Sequence, residues 1–325
     1  MKIAIIGASG MVGEALLRVL ADRDFPVSSL ELYASPRSAG KVVVFKGKEY
    51  IVKALDETIA DAPSFEVAFF AAGGSISAKY AKMLADKNVL VIDNSSHFRM
   101  DADVPLVVPE VNPSDAKNHK GIIANPNCST IQAVVAIAPL HQVFKAKRVI
   151  YTTFQAVSGA GTNGIVDLEN TLKGKEKAHF AHAIAHNAIP HIDAFSDEGY
   201  TKEELKMVNE TRKILNAPEL AITATCVRVP IFNGHSVSIN IEFENKFEID
   251  RVVQILSQGD GIIVEDDVAN NIYPMPINAS GRDEVFVGRI RRDLSKPNAL
   301  NMWVVADNVR KGAATNAIQI AQLFI

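Results

Sequence analysis

The fold of the amino-terminal half is decided by the stretch Lys2-Ile3-Ala4-Ile5-Ile6-Gly7-Ala8-Ser9-Gly10-Met11-Val12-Gly13. The apolar run predicts a buried strand, and three evenly spaced glycines predict a tight turn. An amphipathic helix is indicated next by apolar residues at Val12, Leu16, Val19 and Leu20. A strand that turns through glycines into a helix can bind a pyrophosphate with its backbone N–H groups and the helix dipole. The spacing G-x-x-G-x-x-G differs from the commoner G-x-G-x-x-G, so a plain strand-to-helix turn stays open.

The alternation of strand and helix continues to about residue 125. Apolar segments predict further strands at 30–34, 42–45, 67–70, 89–92 and 122–124, and a helix at 76–85. Strands that are apolar throughout and alternate with helices are typical of a mostly parallel sheet covered on both faces. We therefore predict an α/β fold that opens with a Rossmann-like, doubly wound nucleotide-binding domain over residues 1–127.

A second domain is indicated from residue 128 to about residue 307, because the pattern changes there. A helix is predicted at 130–143 and a closing apolar helix at 312–324. Strands are predicted at 148–156, 222–229, 236–242, 285–290 and 302–306. Runs of strands without alternating helices favour an α+β domain with a mixed, partly open sheet.

Composition excludes several classes of protein. The chain has 325 residues, 48% of them hydrophobic and 22% charged, which is enough for two ordinary cores. A formal net charge of -3 gives no basic field for nucleic acid. The first apolar run is too short for a signal peptide or a membrane span, so we expect a cytoplasmic protein with no membrane partner. Two cysteines in a chain of this length predict thiols rather than a disulfide framework.

The loop after the second predicted strand indicates which dinucleotide binds. NAD sites usually carry an acidic residue at the end of that strand, but this strand ends in Ala34-Ser35-Pro36-Arg37-Ser38. The guanidinium of Arg37 and the hydroxyls of Ser35 and Ser38 suit a 2′-phosphate, which favours NADP(H). A surface loop with one solvated arginine is the alternative.

Cys128 lies in Asn125-Pro126-Asn127-Cys128-Ser129-Thr130, where a turn leads from a predicted strand into a predicted helix. The amino terminus of a helix favours the thiolate, which is the reactive form of cysteine. A small buried hydrophobic residue is the alternative interpretation. Cys226 lies within an apolar strand, where a structural role is the better prediction.

His235 is the best-placed candidate base among eight histidines. It follows Asn233-Gly234, a hairpin signal between the strand that carries Arg228 and the next strand. In such a hairpin Phe232 faces His235 and Arg228 projects to the same side, which brings a cation and a base together. The alternative is an exposed histidine in a turn. Four further histidines, at 179, 182, 186 and 191, lack a cysteine or carboxylate set, so no metal site is predicted.

Six motifs, in order and spanning nearly the whole chain, closely resemble the aspartate-semialdehyde dehydrogenase family. They are residues 7–13, Ser95-Ser96-His97-Phe98-Arg99, residues 125–130, Gln155-Ala156-Val157-Ser158-Gly159-Ala160-Gly161, Arg228-Val229-Pro230 with Gly234-His235-Ser236, and Asp307-Asn308-Val309-Arg310-Lys311-Gly312-Ala313-Ala314. The only departure is Ser9, where many relatives have threonine, and the hydroxyl is kept.

The resemblance implies a reaction and its residues. L-Aspartate 4-phosphate is reduced with NADPH to L-aspartate 4-semialdehyde and phosphate, on the route to lysine, threonine, methionine and diaminopimelate. Cys128 is then the nucleophile that carries a thioacyl intermediate, His235 the general acid/base, and Gln155 the group that orients the substrate. Substrate-binding roles fall to Arg99, Asn127, Glu203, Lys206 and Arg228. Cofactor-binding roles fall to Gly7, Ser9, Gly10, Met11, Val12, Gly13, Ser35, Arg37, Ser38, Ser158, Gly159 and Asn308.

Among these roles, Arg228 binds the substrate carboxylate, Arg99 and Lys206 the phosphate, and Glu203 the substrate ammonium. The resemblance also implies that residues 308–325 complete the nucleotide-binding domain. It further implies that residues 128–307 form a catalytic and dimerisation domain, so that we expect a homodimer or a tetramer.

Three other functions remain as alternatives. N-acetyl-γ-glutamyl-phosphate reductase shares the chemistry, but glycine and tyrosine are expected around its cysteine, where this chain has Asn127 and Ser129. Glyceraldehyde-3-phosphate dehydrogenase differs at its cysteine motif and at the end of its second strand. A non-catalytic NADP-binding regulator needs none of the four residues Cys128, Gln155, Arg228 and His235.

Overall fold

The computed structural model describes residues 1–325, and these divide into two compact units. The first consists of Met1–Pro126 with Ala313–Ile325, and the second of Asn127–Gly312. The predicted divisions, after residues 127 and 307, differ from these by a few residues. The strands are β1 (Lys2–Ile6), β2 (Ser29–Ala34), β3 (Val42–Phe45), β4 (Lys48–Ile51), β5 (Lys53–Ala54), β6 (Val67–Phe70), β7 (Leu90–Asp93), β8 (Ile122–Ala124), β9 (Ala146–Gln155), β10 (Ala221–Arg228), β11 (His235–Phe243), β12 (Ile262–Val264), β13 (Val285–Arg292) and β14 (Ala299–Ala306). The helices are α1 (Met11–Asp22), α2 (Gly74–Ala85), α3 (Cys128–Phe144), α4 (Thr162–Leu172), α5 (Lys202–Ile214), α6 (Ile249–Ser257), α7 (Pro276–Ala279) and α8 (Asn316–Gln322).

The first unit is built on a six-stranded parallel sheet in the order β5-β2-β1-β6-β7-β8. The side chains of β6 and most of those of β1 are buried, as expected for central strands covered by helices on both faces. The chain passes from β1 to β2 on one side and returns to β6 on the other, so the order of strands reverses beside β1. Ligands of such sheets bind beyond the carboxyl ends of the strands at this reversal. The glycine turn, which begins at Gly7 directly after β1, lies at this point.

The segment predicted as a strand at 42–45 does not join this sheet. It pairs instead with β4 as a separate antiparallel hairpin. Lys46 and Gly47 connect the two strands, and both have positive φ, at 45° and 77°. Two left-handed residues make the tight turn that returns a strand directly onto itself, so placing β3 in the parallel sheet was wrong.

The second unit contains a six-stranded mixed sheet in the order β10-β9-β11-β14-β13-β12. This sheet and the parallel sheet of the first unit confirm the predicted fold class. β9 is parallel to β10 and antiparallel to β11. The end of β9, the end of β10 and the start of β11 therefore meet at one edge. Gln155 pairs with Arg228 in register, and His235 begins the neighbouring strand.

The hairpin predicted between Arg228 and His235 is wrong. β9 lies between β10 and β11, so these two strands are not neighbours. Residues 229–234 cross over the end of β9, and the N–H groups of Val157 and Ser158 donate to the carbonyls of Ile231 and Phe232. Phe232 is an exposed side chain. Arg228 and His235 nevertheless reach the same edge of the sheet, because their strands flank the same strand.

Two long helices of the second unit position the candidate site. α3 begins at Cys128, packs against β9, β11 and β14, and is buried along most of its length. α5, which is absent from the elements predicted above, packs against α3 and β10. In the first unit, α8 follows a π-helical turn at Arg310–Thr315 and packs against α1 and β7. No helix is both long and apolar enough to cross a membrane.

Candidate active site

Cys128 is the first residue of α3, and Asn127 caps this helix. The Asn127 Oδ1 accepts hydrogen bonds from the N–H groups of Ser129 at 3.0 Å and Thr130 at 3.3 Å. Asparagine is a preferred residue at this position because its side chain binds N–H groups that the helix leaves unpaired. A Cβ placed on Gly312 would lie 2.8 Å from the Cβ of Cys128, so the backbone of residue 312 passes close to the cysteine.

Two carboxylates of α5 hold the residue that precedes the cysteine. Asn127 donates its Nδ2 to the Glu203 Oε1 at 2.9 Å and its backbone N–H to the Glu210 Oε2 at 2.7 Å. Glu203 and Glu210 are seven residues apart, which places both on one face of the helix. Sequence reasoning missed Glu210, although this spacing from Glu203 is a signal that could have found it.

Glu203 is the centre of a buried polar network. Its Oε1 also accepts from the Gln155 Nε2 at 3.1 Å, and its Oε2 pairs with the Lys206 Nζ at 3.1 Å. Burial raises the pKa of Glu203, but the Lys206 charge and these hydrogen bonds outweigh it and hold the pKa below its ordinary value. Glu203 is therefore a carboxylate at neutral pH. Gln155 is fixed at its other end, where its Oε1 accepts from the Thr153 hydroxyl at 3.0 Å.

Lys206 lies between two acidic side chains. Besides Glu203, its Nζ contacts the Asp193 Oδ2 at 2.8 Å. Burial lowers the pKa of Lys206, but the two carboxylates raise it above its ordinary value, so the ammonium stays charged. Asp193 belongs to the irregular stretch between α4 and α5, and sequence reasoning did not single it out.

His235 is completely buried and is held by the backbone of Ala156. Its Nδ1 accepts the N–H of Ala156 at 3.0 Å, whereas its Nε2 has no hydrogen-bond partner. Burial and the nearby charge of Arg228 lower the pKa of His235 well below its ordinary value. A neutral imidazole whose Nδ1 accepts a hydrogen bond carries its proton on Nε2. The ring therefore presents an unpartnered N–H donor.

Arg228 is a buried cation without a carboxylate partner. Only 5% of it is exposed, its Nη1 donates to the carbonyl of Ala156 at 2.7 Å, and it forms no ion pair. The guanidinium lies 5.8 Å from the centre of the Phe180 ring. Burial lowers its pKa, and the charge of Glu203, which is not in ion-pair contact, offsets only part of that effect. A buried charge is costly unless it is paired, so an unpaired buried arginine indicates a site for an anionic ligand.

Gly159 shows how closely Arg228 and His235 approach each other. A Cβ on Gly159 would lie 2.8 Å from the Arg228 Nη1 and 3.0 Å from the His235 Nε2. Both donors therefore border the same small space. Such an arrangement can bind an anionic group beside an oxygen that gains negative charge during a reaction.

Asn308 joins the turn at 157–160 to the start of β11. Its Oδ1 accepts the N–H of Gly234 at 2.9 Å, and its Nδ2 donates to the Ser158 Oγ at 2.9 Å. In this structure the side chains of Ser158 and Asn308 therefore bind each other and fix the backbone before His235. Their predicted contacts with a cofactor stay predictions.

In the first unit, the glycine turn leaves no room for side chains at two positions. Gly7 has a φ of 95°, and a Cβ there would lie 2.7 Å from the carbonyl carbon and oxygen of Ala71. A Cβ on Gly13 would lie 2.2 Å from the Gly7 carbonyl oxygen. The third glycine of a dinucleotide-binding turn allows the helix to pack closely on the strand, and Gly13 has this role between α1 and β1. The other predicted residues of this turn, Ser9, Gly10, Met11 and Val12, precede or begin α1.

The turn at Pro36–Ser38 follows the end of β2. Arg37 is exposed and forms no ion pair, and Ser38 is linked to Ser35 through a backbone hydrogen bond of 2.8 Å. Ala34 ends the strand, so no carboxylate follows it directly. This arrangement leaves the guanidinium available to a ligand.

Arg99 also lies in the first unit and is anchored to its backbone. Its Nε donates to the carbonyl of Asn125 and its Nη2 to that of Asn94, each at 2.9 Å. The other predicted substrate-binding residues, Asn127, Glu203, Lys206 and Arg228, belong to the second unit.

The remaining cysteine and histidines form no second site. Cys226 is fully buried in β10, and burial raises the pKa of its thiol to about 12. Neither cysteine forms a disulfide bond. The histidines between residues 179 and 191 belong to no cluster of side chains that could hold a metal ion.

Comparison with known proteins gives the family of both units. Residues 2–119 match the model of the semialdehyde dehydrogenase NAD-binding domain, and residues 137–311 match that of the semialdehyde dehydrogenase dimerisation domain. Aspartate-semialdehyde dehydrogenase of Aquifex aeolicus is 56% identical, over 100% of this chain and 98% of that protein. The enzyme of Campylobacter jejuni is 50% identical, over 100% and 97%.

Solved structures agree with these relatives. Aspartate-semialdehyde dehydrogenase II of Vibrio cholerae, also solved in complex with ASA, is 48% identical with a TM-score of 0.95, and the match covers 99% of this chain and 97% of the chain in the complex. The enzyme of Candida albicans, solved with NADP, is 25% identical with a TM-score of 0.76, over 99% and 98%. The chain therefore belongs to the aspartate-semialdehyde dehydrogenase family, a family of oxidoreductases.

Proposed function

We propose that this protein reversibly reduces L-aspartate 4-phosphate to L-aspartate 4-semialdehyde and phosphate, with NADPH as the source of hydride. The observation that carries the proposal is Arg228, a buried guanidinium without an ion pair that faces the same small space as the unpartnered Nε2 of His235. A substrate whose carboxylate is separated by two carbons from its reacting carbonyl group can place the carboxylate at Arg228 and the carbonyl oxygen at His235. The relatives named for this activity over their full length support the same conclusion.

The first unit is proposed to bind NADP. The glycine turn fits a pyrophosphate, because Gly7 and Gly13 have no space for a side chain and the start of α1 offers helix N–H groups. Arg37, with Ser35 and Ser38, is proposed to bind the 2′-phosphate, since the guanidinium is exposed and unpaired. When bound, the cofactor supplies or accepts the hydride. The Candida albicans relative solved with NADP supports this assignment.

Cys128 is proposed to be the nucleophile. In the reductive direction its thiolate attacks the acyl carbon, the bond from that carbon to the phosphate oxygen breaks, and phosphate leaves with the electron pair. The acyl group is then held as a thioester on the Cys128 Sγ. After reduction of that thioester to a thiohemiacetal, breaking the carbon–sulfur bond releases the aldehyde and regenerates the thiolate.

The buried donors are proposed to act on the substrate around that carbon. Arg228 binds the α-carboxylate, for which a planar guanidinium is well suited. His235 acts as the general acid/base, and its neutral form presents Nε2–H to the oxygen that becomes negative when the thiolate attacks. Gln155, held by Glu203 and Thr153, orients the carbonyl group.

Three further residues of the second unit, Asn127, Glu203 and Lys206, complete its proposed substrate site. Glu203, which stays ionised, binds the substrate ammonium, and Asn127 orients the substrate beside the nucleophile. Lys206 is proposed to bind the phosphate in exchange for its contact with Asp193. Arg99 is proposed as a second phosphate-binding residue on the strength of the resemblance.

The second unit is proposed to form the subunit interface as well as the substrate site. The match to a dimerisation domain over residues 137–311 supports a homodimer, or a tetramer built from dimers. The proposed pathway role is the biosynthesis of lysine, threonine, methionine and diaminopimelate.

Reduction of NADP by the purified protein in the presence of L-aspartate 4-semialdehyde and phosphate tests the proposal. We expect turnover that requires phosphate and is lost in C128A. Turnover with N-acetylglutamyl semialdehyde instead of the aspartyl compound would identify the acetylglutamyl enzyme. Tight binding of NADP without turnover of either aldehyde would identify a binding protein.

A further inference from the structure

We propose that Glu210 is a positioning residue for Cys128, because it holds the peptide N–H of the residue directly before the nucleophile. This inference rests on the proposed function, in which Cys128 must be aligned with a bound acyl group. Glu210 itself lies outside the set of residues assigned to substrate or cofactor.

The geometry ties Glu210 to the start of α3. Its side chain is only 1% exposed, and its Oε2 accepts the Asn127 N–H at 2.7 Å. Glu203, two helical turns earlier on α5, accepts the side-chain Nδ2 of the same asparagine. α5 thereby holds Asn127 at both its backbone and its side chain, while the Oδ1 of Asn127 caps α3.

The use of a buried carboxylate for this contact is informative. A buried carboxyl group is costly unless its oxygens are hydrogen-bonded, and the Asn127 N–H supplies one such bond to the Glu210 Oε2. The separation of 2.7 Å between the Asn127 N and the Glu210 Oε2 lies at the short end of the range for such hydrogen bonds. Glu210 therefore resists movement of the Asn127 peptide.

This restraint acts directly on the nucleophile. Cys128 follows Asn127, so a rotation of that peptide moves the Cβ and Sγ of the cysteine relative to a substrate fixed by Arg228 and Gln155. Attack requires alignment of the reacting atoms, and a displacement of about 1 Å can cost roughly a hundredfold in rate. Glu210 is thus expected to affect the rate of the chemical step more than substrate binding.

Glu204 provides a matched control on the same helix. It is also buried, and its Oε1 accepts the backbone N–H of Cys226 at 3.0 Å. Its Oε2 accepts the N–H of Thr201 and completes the capping box of α5. Removing either carboxylate therefore leaves a buried N–H without its acceptor, but of these two residues only Glu210 is bonded to the residue before Cys128.

The kinetic test compares E210A, E210Q and E204A in the full-length protein. We expect E210A to lower kcat by about 10- to 100-fold while the KM for the aldehyde stays within about threefold. E210Q, whose amide oxygen can accept the same N–H, should recover kcat to within about fivefold of the parent protein. E204A should lower the thermal midpoint but keep kcat within about threefold. If E210A does not fold, E210D takes its place, because its shorter side chain withdraws the acceptor.

Hydrogen exchange measured by mass spectrometry tests the contact without any substrate. E210A should accelerate exchange in residues 125–131, and E204A should accelerate it in residues 222–229. A kcat for E210A equal to that of the parent, an equal loss of kcat in E204A, or a loss in E210Q as large as in E210A would each overturn the proposal. If the parent protein does not turn over the aldehyde, the proposed function fails. The role of Glu210 is then decided by hydrogen exchange alone: faster exchange of residues 125–131 in E210A supports it, and unchanged exchange overturns it.

Discussion

The backbone N–H of Ala156 donates to the Nδ1 of His235 at 3.0 Å, and the neutral imidazole therefore carries its proton on Nε2. The carbonyl of the same residue accepts from the Arg228 Nη1 at 2.7 Å. A single residue at the end of β9 thus orients both the imidazole and the guanidinium. Their proximity explains why the charge of Arg228 contributes to the low pKa of His235.

Stability should fall as the pH drops below about 6.5, in part because of His235. The folded-state pKa lies well below the ordinary value of 6.5, so the unfolded chain takes up a proton in this range that the folded chain does not. The free energy of unfolding then decreases by up to about 1.4 kcal/mol per pH unit for this group. When the free energy of unfolding is measured with urea between pH 7.5 and 5.5, it should change less steeply with pH in H235Q than in the parent protein. Equal slopes would show that His235 titrates normally.

Replacing Arg228 should weaken substrate binding and raise the pKa of His235. In R228A the α-carboxylate of the bound substrate would be buried without its partner, which costs several kcal/mol. The kcat/KM of R228A for the aldehyde should therefore fall by about 100- to 1000-fold. The KM for phosphate should change little. Arg282, a partly exposed arginine paired with Glu284, is the control, and R282A should retain activity. NMR titration of the imidazole should report the pKa change, and an unchanged imidazole pKa in R228A would contradict the proximity of the two groups.

Alanine at position 159 should impair activity while leaving stability nearly unchanged. Gly159 does not have a positive φ, so alanine strains no backbone. Its Cβ would instead displace Arg228 and His235, whose side-chain ends lie within about 3 Å of that position. We expect kcat/KM of G159A to fall at least about tenfold, with a thermal midpoint within a few degrees of the parent. Full activity in G159A would show that the observed positions of the Arg228 and His235 side chains are not required for activity.

Removal of Arg37 should change the choice of cofactor. A charge-assisted hydrogen bond to a phosphate contributes about 1.5–3 kcal/mol, so the KM for NADP should rise by about 10- to 100-fold in R37A. The KM for NAD should stay the same, since NAD has no 2′-phosphate. K41A, which removes an exposed cation from the same loop, serves as the control. Equal effects of R37A on both cofactors would refute the assignment of this loop.

The features that could be predicted from sequence are those encoded by neighbouring residues. The glycine turn, the strands of the parallel sheet and the turn from Asn125 into a helix at Cys128 all depend on short patterns of apolar, glycine and capping residues. The position of β9 between β10 and β11 depends on pairing between segments that are far apart in the chain. No local signal encodes such pairing, and the Asn233-Gly234 turn therefore suggested a hairpin that does not exist.

The family resemblance implied roles for Glu203 and Lys206, but the burial of the carboxylates of α5 could not be predicted from local patterns. This helix is rich in charged residues and resembles a solvated surface, yet Glu203, Glu204 and Glu210 are all buried. Burial of carboxylates depends on the backbone and side-chain donors that meet them, such as the Asn127 N–H. Several of those partners belong to distant parts of the chain: Asn127 lies 76 residues from Glu203 and 83 from Glu210, and Gln155 lies 48 residues from Glu203.

The covalent role of Cys128 is the central step of the proposed mechanism. Mass spectrometry tests this role most directly, with the protein incubated with L-aspartate 4-semialdehyde and NADP in the absence of phosphate. An acyl group should accumulate as a thioester on the peptide that contains Cys128, because the acceptor that releases it is missing. Addition of phosphate should discharge this group, and C128A should neither acquire it nor turn over. Turnover by C128A, or oxidation of the aldehyde with no mass change at Cys128, would contradict the account.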